Sequence, residues 1–344
     1  AALPKRSGLI NRQELETNRE MKRNPSFSST AIFIGVLTIC ILAVQPSHAE
    51  TPSKTFTAKP APGVILVPGF FNSLAAGYAR QNPPTSQQRA AEKALEKAPY
   101  FSLAIVETLE KTGSPVVVVD NLDPLGSIET NGALMLEFLN ELPKRRPQFK
   151  DREWIAIGHS CGGLYTLHAL TAQPTLPIKT LVTVSTPFRG LGFIENLSAN
   201  IPFLSELASL INLESLMQLR ERDVATAVAK LRPPESLRII ATGGWQQACS
   251  VFNCDEADSL SWVLSITDAL VREISDGIVT WSSMIPEREF LPFAIEPRPD
   301  LAVSLEHWEQ VQDYRFFSLI GTDDIETIRD RQVQFFNSLY RAAQ

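Results

Sequence analysis

Short apolar runs rich in β-branched residues recur along the chain, at residues 63–67, 115–120, 154–157, 180–184 and 237–241. Their interiors are continuously apolar, so each reads as a strand buried on both faces. Between them lie stretches with apolar residues three and four apart. Residues 87–111, interrupted near Pro99, and 131–142 fit helices, and 164–171 fits a third. Strands alternating with helices predict an α/β fold, with a mostly parallel central sheet flanked by helices. In open sheets of this kind the site lies in the loops at the carboxyl ends of the strands.

Two segments break the alternation. Residues 190–235 carry a dense apolar set that includes Phe193, Ile194, Leu197, Phe203, Leu204, Leu207 and Leu210. Its spacing is too broad for one narrow helical stripe, and it reads as a helical insertion over the sheet edge. Residues 21–49 have a different layout. Met21, Lys22 and Arg23 give a positive start, residues 31–44 are mostly apolar, and Pro46, Ser47 and Ala49 supply a breaker and small residues. That is the plan of a secretory signal peptide cleaved after Ala49, its apolar stretch shorter than the roughly 18 residues of a membrane span. Residues 1–20 then read as over-called sequence upstream of Met21. Residues 50–62, rich in Pro, Lys and Thr, form an exposed lead-in to a domain spanning 63–344. The expected destination is the periplasm or the exterior.

Composition narrows the function. Hydrophobic residues are 44% and charged residues 20%, which fits a globular protein and excludes a disordered one. Beyond Ala49 the chain holds 26 basic and 35 acidic residues, a net charge of −9, which argues against a nucleic-acid partner. No apolar run reaches membrane-spanning length, so no integral span is expected. Three cysteines follow Ala49: Cys161, Cys249 and Cys254. In an oxidising compartment Cys249 and Cys254 close a small loop worth about 2 kcal/mol by chain entropy.

The sharpest chemical signal is Gly158-His159-Ser160-Cys161-Gly162, between a strand run and a helical one. A serine on a sharp strand-to-helix turn lifts its hydroxyl above the sheet, and flanking glycines let the backbone bend that tightly. A serine hydroxyl needs a base to take its proton. Of the three histidines after Ala49, His159 adjoins the serine and His168 lies about 12 Å down the helix. His307 remains as the base. The base needs an acid to fix its tautomer. Seventeen Asp or Glu residues separate Ser160 from His307, and Asp276 stands out by sitting in a Gly-assisted turn, Ser275-Asp276-Gly277, beside an apolar run. Donors for a developing oxyanion are expected from the N–H of Cys161 and, across the loop after the first strand, the N–H of Phe70, with Gly69 permitting close approach.

In this order of features the chain resembles the α/β-hydrolases, and within them the secreted bacterial triacylglycerol lipases of the true-lipase type. The resemblance runs from Val64–Phe70 through Tyr100-Phe101, Gly113, the strand at 116–119 and the Ser160 turn to Ser185-Thr186-Pro187-Phe188-Arg189-Gly190, Asp276 and His307. It covers roughly residues 63–340. Two positions depart from the family pattern: Pro68 stands where the oxyanion loop usually has His, and Phe188 where the T-P-x-R-G segment usually has His. The resemblance implies hydrolysis of acyl esters through a Ser-His-Asp triad, with no cofactor in the chemistry. It also implies residues 190–235 as a lid at a lipid interface, and a folding chaperone as a partner in some relatives. A structural calcium near the histidine is a further implication, with Glu256, Glu309 and Asp313 as its candidate ligands. The same motifs also leave open an esterase for small or polymeric esters, an acyltransferase or a thioesterase.

The export reading has a direct check. Sequencing the amino terminus of secreted material is expected to give Glu50 as the first residue, and any other start would overturn the cleavage assignment.

Overall fold

Each of the five apolar runs folds as a strand: β1 Gly63–Val67, β2 Val116–Val118, β3 Trp154–His159, β4 Ile178–Val184 and β5 Arg238–Thr242. A sixth, β6 Glu296–Pro297, completes the sheet. The computed structural model describes residues 60–70, 100–192, 194, 217–245, 274–312 and 325–344. All neighbouring strands pair in parallel, in the order β2-β1-β3-β4-β5-β6. The chain therefore leaves β1 toward one edge and returns on its other side. That reversal opens a crevice between the carboxyl ends of β1 and β3, where Val67 pairs with Gly158.

The sheet separates two apolar layers. Val64, Leu66, Ile155, Ile157, Val182, Val184 and Ile240 face one layer, while Ile65, Val67, Ala156, Leu181, Ile239 and Ala241 face the other. With side chains alternating every residue, burial on both faces demands the unbroken apolar runs seen in the sequence. Helices α1 Leu103–Glu110 and α6 Ile325–Ala343 cover the first face. Helices α2 Ile128–Arg145, α3 Gly162–Ala172 and α4 Glu221–Val228 cover the second. A one-turn helix, α5 Trp281–Met284, follows the segment that carries Asp276.

Helix α2 starts a turn earlier than its apolar pattern predicts, because Ser127 caps it. The Ser127 hydroxyl oxygen accepts the Thr130 N–H at 3.0 Å. Strand β6 has no apolar run to announce it, since its two residues are placed by pairing with Ile240 and Ala241. Helix α6 also lies outside the predicted elements. Its buried residues, Ile328, Phe335, Phe336, Leu339, Tyr340 and Ala343, recur at helical spacing but are diluted by charged residues between them. This helix reaches the site through Gln332. The buried amide accepts from Ser102 Oγ at 2.8 Å and donates to the carbonyls of Glu309 and Gln312 at 2.8 and 2.9 Å.

The predicted insertion at 190–235 is described only at its ends, residue 193 and residues 195–216 lying outside the described residues. Leu191 N–H donates to the Leu219 carbonyl at 2.8 Å, closing the base of the segment. Leu191, Ile194, Leu219, Val224, Val228 and Leu231 are buried in the second layer. The signal segment and the lead-in up to residue 59 lie outside the described residues. No described helix is long and apolar enough to cross a membrane.

Phe336 is fully buried and meets Phe101 edge-to-face, with ring centroids 6.2 Å apart. Phe336→Ala is expected to lower unfolding stability by about 3–5 kcal/mol, the range for emptying a buried aromatic site. Urea titration would read this as a lower midpoint at unchanged slope, and an unmoved midpoint would contradict the packing of α6.

Candidate active site

The Ser160 turn is built from strand, strain and missing side chains. Ser160 N–H donates to the Val184 carbonyl at 2.8 Å, the last bond between β3 and β4. The chain then bends at Ser160 itself, which holds φ +52, and enters α3. A non-glycine residue in this left-handed region costs about 1–3 kcal/mol and persists only where the surroundings impose it. Here they do. A Cβ on Gly158 would lie 2.6 Å from the Gly163 nitrogen, and one on Gly162 would collide with the carbonyl oxygens of Val67 and Pro68. Both predicted glycines are therefore required by contact as well as by the bend.

Asp276 and His307 meet as predicted. His307 Nδ1 lies 2.7 Å from Asp276 Oδ2, and the His307 N–H donates to the Asp276 carbonyl at 2.9 Å. Asp276 occupies a tight turn in which Gly277 takes φ +91. Its Oδ1 accepts the N–H groups of Ile278 and Val279 at 3.1 and 2.8 Å. The carboxyl is fully buried, and His307 is 2% exposed. Burial alone would push the Asp276 carboxyl up. The imidazole of His307 and the hydrogen bonds from His307 and Val279 more than offset it and hold the carboxyl below the usual carboxylate range.

His159, set aside as a base by its place beside the serine, is not remote from this pair. Its ring lies 4.6 Å from the His307 ring, centroid to centroid, so it joins the Ser160 turn to the histidine loop. Burial, followed by the nearby His307, holds His159 well below the ordinary histidine range, leaving it neutral. Its Nδ1 is 2.7 Å from the Tyr100 hydroxyl. That tyrosine also touches the loop after β1. A Cβ on Gly69 would stand 3.0 Å from Tyr100 Oη, 2.8 Å from the His159 carbonyl oxygen and 2.5 Å from Ser160 Cβ. Gly69 thus lets the loop close on the turn, and Tyr100, which the motif reading left without a role, braces the two. The expected oxyanion donors belong to Phe70, in the loop after β1, and Cys161, at the start of α3, and both residues are buried, the Cys161 thiol included. Burial pushes that thiol up to about 11.

His168 lies elsewhere, on α3 against Gly132 of α2. Cys249 and Cys254, paired in the sequence reading, lie outside the described residues, as do the calcium candidates Glu256 and Asp313. Glu309 is described, and its Oε2 accepts the Glu306 N–H at 3.3 Å. Among the described residues no group of three or more His, Cys, Asp or Glu is placed to hold a metal ion. Two further residues, Gln310 and Ser185, both fully buried, extend the network behind Asp276. Ser185 opens the Ser185-Thr186-Pro187 segment of the sequence reading, which gave it no role, and no motif marks Gln310.

The parallel sheet flanked by helices recurs among solved structures. The metagenomic carboxyl esterase MGS0156 matches with a TM-score of 0.55 at 15% identity, covering 88% of this chain and 80% of its own. Lipase 1 from Pelosinus fermentans matches at 0.51 and 9% identity, covering 83% and 99%. The Staphylococcus hyicus lipase matches at 0.50 and 12% identity, covering 81% and 95%. The chain has the α/β-hydrolase fold. Its structural neighbours are bacterial lipases and esterases. No protein-family model matches this hydrolase-fold chain, and no curated protein matches it in sequence.

The depressed Asp276 carboxyl makes stability depend on pH in one direction. A folded-state value below the unfolded value, about 3.9, contributes stability that is complete above the unfolded value. That contribution is lost as pH falls through the lower folded value. Asp276→Asn lacks the titrating group. The stability gap between wild type and variant, followed by urea unfolding, is therefore expected to stay constant above about pH 5 and to narrow below about pH 4. A gap independent of pH would contradict the buried ion.

Proposed function

We propose that this chain is a secreted serine carboxylester hydrolase of lipase-like preference. One observation carries the reading: a buried Asp276–His307 pair joined at 2.7 Å, packed through His159 against a turn that holds Ser160 at φ +52. With Nδ1 engaged by Asp276, the Nε2 of His307 is the nitrogen left to accept the serine proton. Ser160 Oγ then attacks the ester carbonyl, and the amides of Phe70 and Cys161 receive the oxyanion. Collapse of this intermediate expels the alcohol, which takes the proton from His307. Water, deprotonated by the same imidazole, repeats the sequence on the acyl-enzyme and releases the acid. No metal or organic cofactor enters these steps.

The lipase preference rests on the apolar segment at 190–235, read as a lid that meets a lipid surface. A second reading, an esterase for small or polymeric esters, is favoured by the way both described ends of that segment are buried in the core. A thioesterase or acyltransferase would use the same three residues with a different leaving group or acceptor. Secretion through residues 21–49, a folding chaperone and a structural calcium belong to this proposal as well.

The test compares the purified protein with Ser160→Ala on acyl esters of increasing chain length, each carried through its solubility limit. The variant is expected to lose on the order of 10⁴-fold or more in kcat. A rate that jumps as droplets form supports a lipase with a working lid. A Ser160-dependent rate confined to short soluble esters supports the second reading, and turnover that persists in the variant overturns the mechanism.

A further inference from the structure

Asp276 has a partner beyond its turn and its histidine. Oδ2, which faces His307 Nδ1, also accepts from Gln310 Nε2 at 2.9 Å. Gln310 lies three residues after His307 on the same loop and is fully buried. Its other amide atom is engaged too: Oε1 accepts the Ser185 hydroxyl at 2.7 Å, and Ser185 Oγ in turn accepts the Gly244 N–H at 3.2 Å. The bonds run in one sense, from the Gly244 amide through Ser185 and Gln310 to the carboxylate. Reversing the Gln310 amide would set an oxygen against the Asp276 carboxylate and forfeit the 2.7 Å bond from the Ser185 hydroxyl, whose other reach is to Met284 Sδ at 3.6 Å and to Asp276. The amide therefore has a single orientation.

The backbone is strained to make this so. Ser185 holds φ +50 at the end of β4, and its N–H has already completed the pairing with the Thr242 carbonyl at 2.9 Å. Packing alone does not call for an amide at position 310, because an apolar side chain of similar volume would fill the same space without any polar group to satisfy. What the amide adds is geometric. Two donors hold Oδ1 from the turn and two hold Oδ2 from the histidine loop, which fixes the plane of the carboxylate.

We propose that Gln310, oriented by Ser185, is a positioning residue that keeps Asp276 Oδ2 on the His307 imidazole. The proposal rests on the serine-hydrolase reading above. Gln310 touches no substrate and moves no proton. The titratable groups around it are Asp276 on the facing turn, His307, Glu306 and Glu309 on its own loop, and His159 at the end of β3. Ser185, with Met284 beside it, and Gly244 adjoin it without charge.

Three variants of the full protein test it: Gln310→Leu, Gln310→Glu and Ser185→Ala. In Gln310→Leu, kcat is expected to fall about ten- to a hundredfold with KM within about twofold, as when a charged acceptor loses one donor. Ser185→Ala leaves the amide in place but unoriented. It is expected to lose about three- to tenfold, and it decides the question should Gln310→Leu fail to fold. Gln310→Glu sets a second carboxylate beside Asp276, which favours the charged imidazole and moves the acid limb of kcat/KM to higher pH. A residue with a purely structural role would change melting and leave that limb in place. Wild-type-like kcat in the folded variants, with an unmoved limb in Gln310→Glu, overturns the proposal. If the wild type has no Ser160-dependent turnover, the hydrolase reading falls and proton NMR decides this one. The downfield His307 Nδ1–H resonance is expected in wild type and shifted in Gln310→Leu, and an identical resonance in both overturns it.

Discussion

Two backbones meet at the carboxyl ends of β1 and β3 with no side chains between them, and the site is arranged around that contact. On one side Gly162, at the start of α3, lies against the carbonyls of Val67 and Pro68. On the other, Gly69 lies against Ser160 and the His159 carbonyl. A methyl group at either glycine would force the strand end and the helix start apart. The strand order places this meeting where the chain reverses direction across the sheet, so loops leaving β1 and β3 diverge and leave a crevice between them. Tyr100 and His159 then brace the contact from the side facing the histidine loop. The glycines thus act through what they leave out, and the aromatic groups fill the remaining space.

Burial sorts the ionisable groups of the site by what their partners can offset. Asp276 keeps its charge although it is fully buried, because four donors converge on its two oxygens. Tyr100, Tyr165 and His159 have no such set, and burial holds each of them neutral. Cys161 falls in the same group. With its thiol pushed up to about 11, it stays protonated near neutral pH. One full negative charge therefore sits at the end of a neutral cluster. The carboxylate then holds the Nδ1 side of the His307 ring, which fixes the orientation of the imidazole.

The sequence made some of this legible and not the rest, for physical reasons. Strands buried on both faces require unbroken apolar runs, so β1 to β5 stood out, whereas β6 is held by its neighbour's backbone and leaves no trace in composition. The Ser160 turn is local: strand, bend and helix follow one another, and each glycine has a steric cause. Asp276 was legible because its turn is local too, with Gly277 taking the left-handed position that the motif implies. Gln310 and Ser185 lie 125 residues apart in the chain and meet only in the fold. No motif marks Gln310, and the Ser185-Thr186-Pro187 segment says nothing of a contact so far along the chain. Helix α6 had the spacing of a buried face, but its polar residues obscured a stripe that only the sheet gives a reason to exist. For His159, adjacency to the serine in the chain sets it aside as a base and says nothing of its packing on His307.

Ser160 and Ser185 show how one backbone device serves two ends. They terminate neighbouring strands, and each first spends its N–H on the strand beyond, Ser160 on Val184 and Ser185 on Thr242. Each then turns through a left-handed residue, at φ +52 and φ +50. A left-handed residue immediately after the last ladder bond takes its side chain out of the alternation that the strand would otherwise impose. At β3 Ser160 retains 7% exposure, while at β4 Ser185 is fully buried and its hydroxyl bonds an amide. Both turns incur the cost of a left-handed residue, of order 1–3 kcal/mol each. The second turn also directs the chain so that Thr186 Oγ1 donates to the Ser160 carbonyl at 2.8 Å and Phe188 is buried. Its own side chain makes the bond to Gln310, and through Gln310 the turn at the end of β4 reaches the carboxylate behind His307.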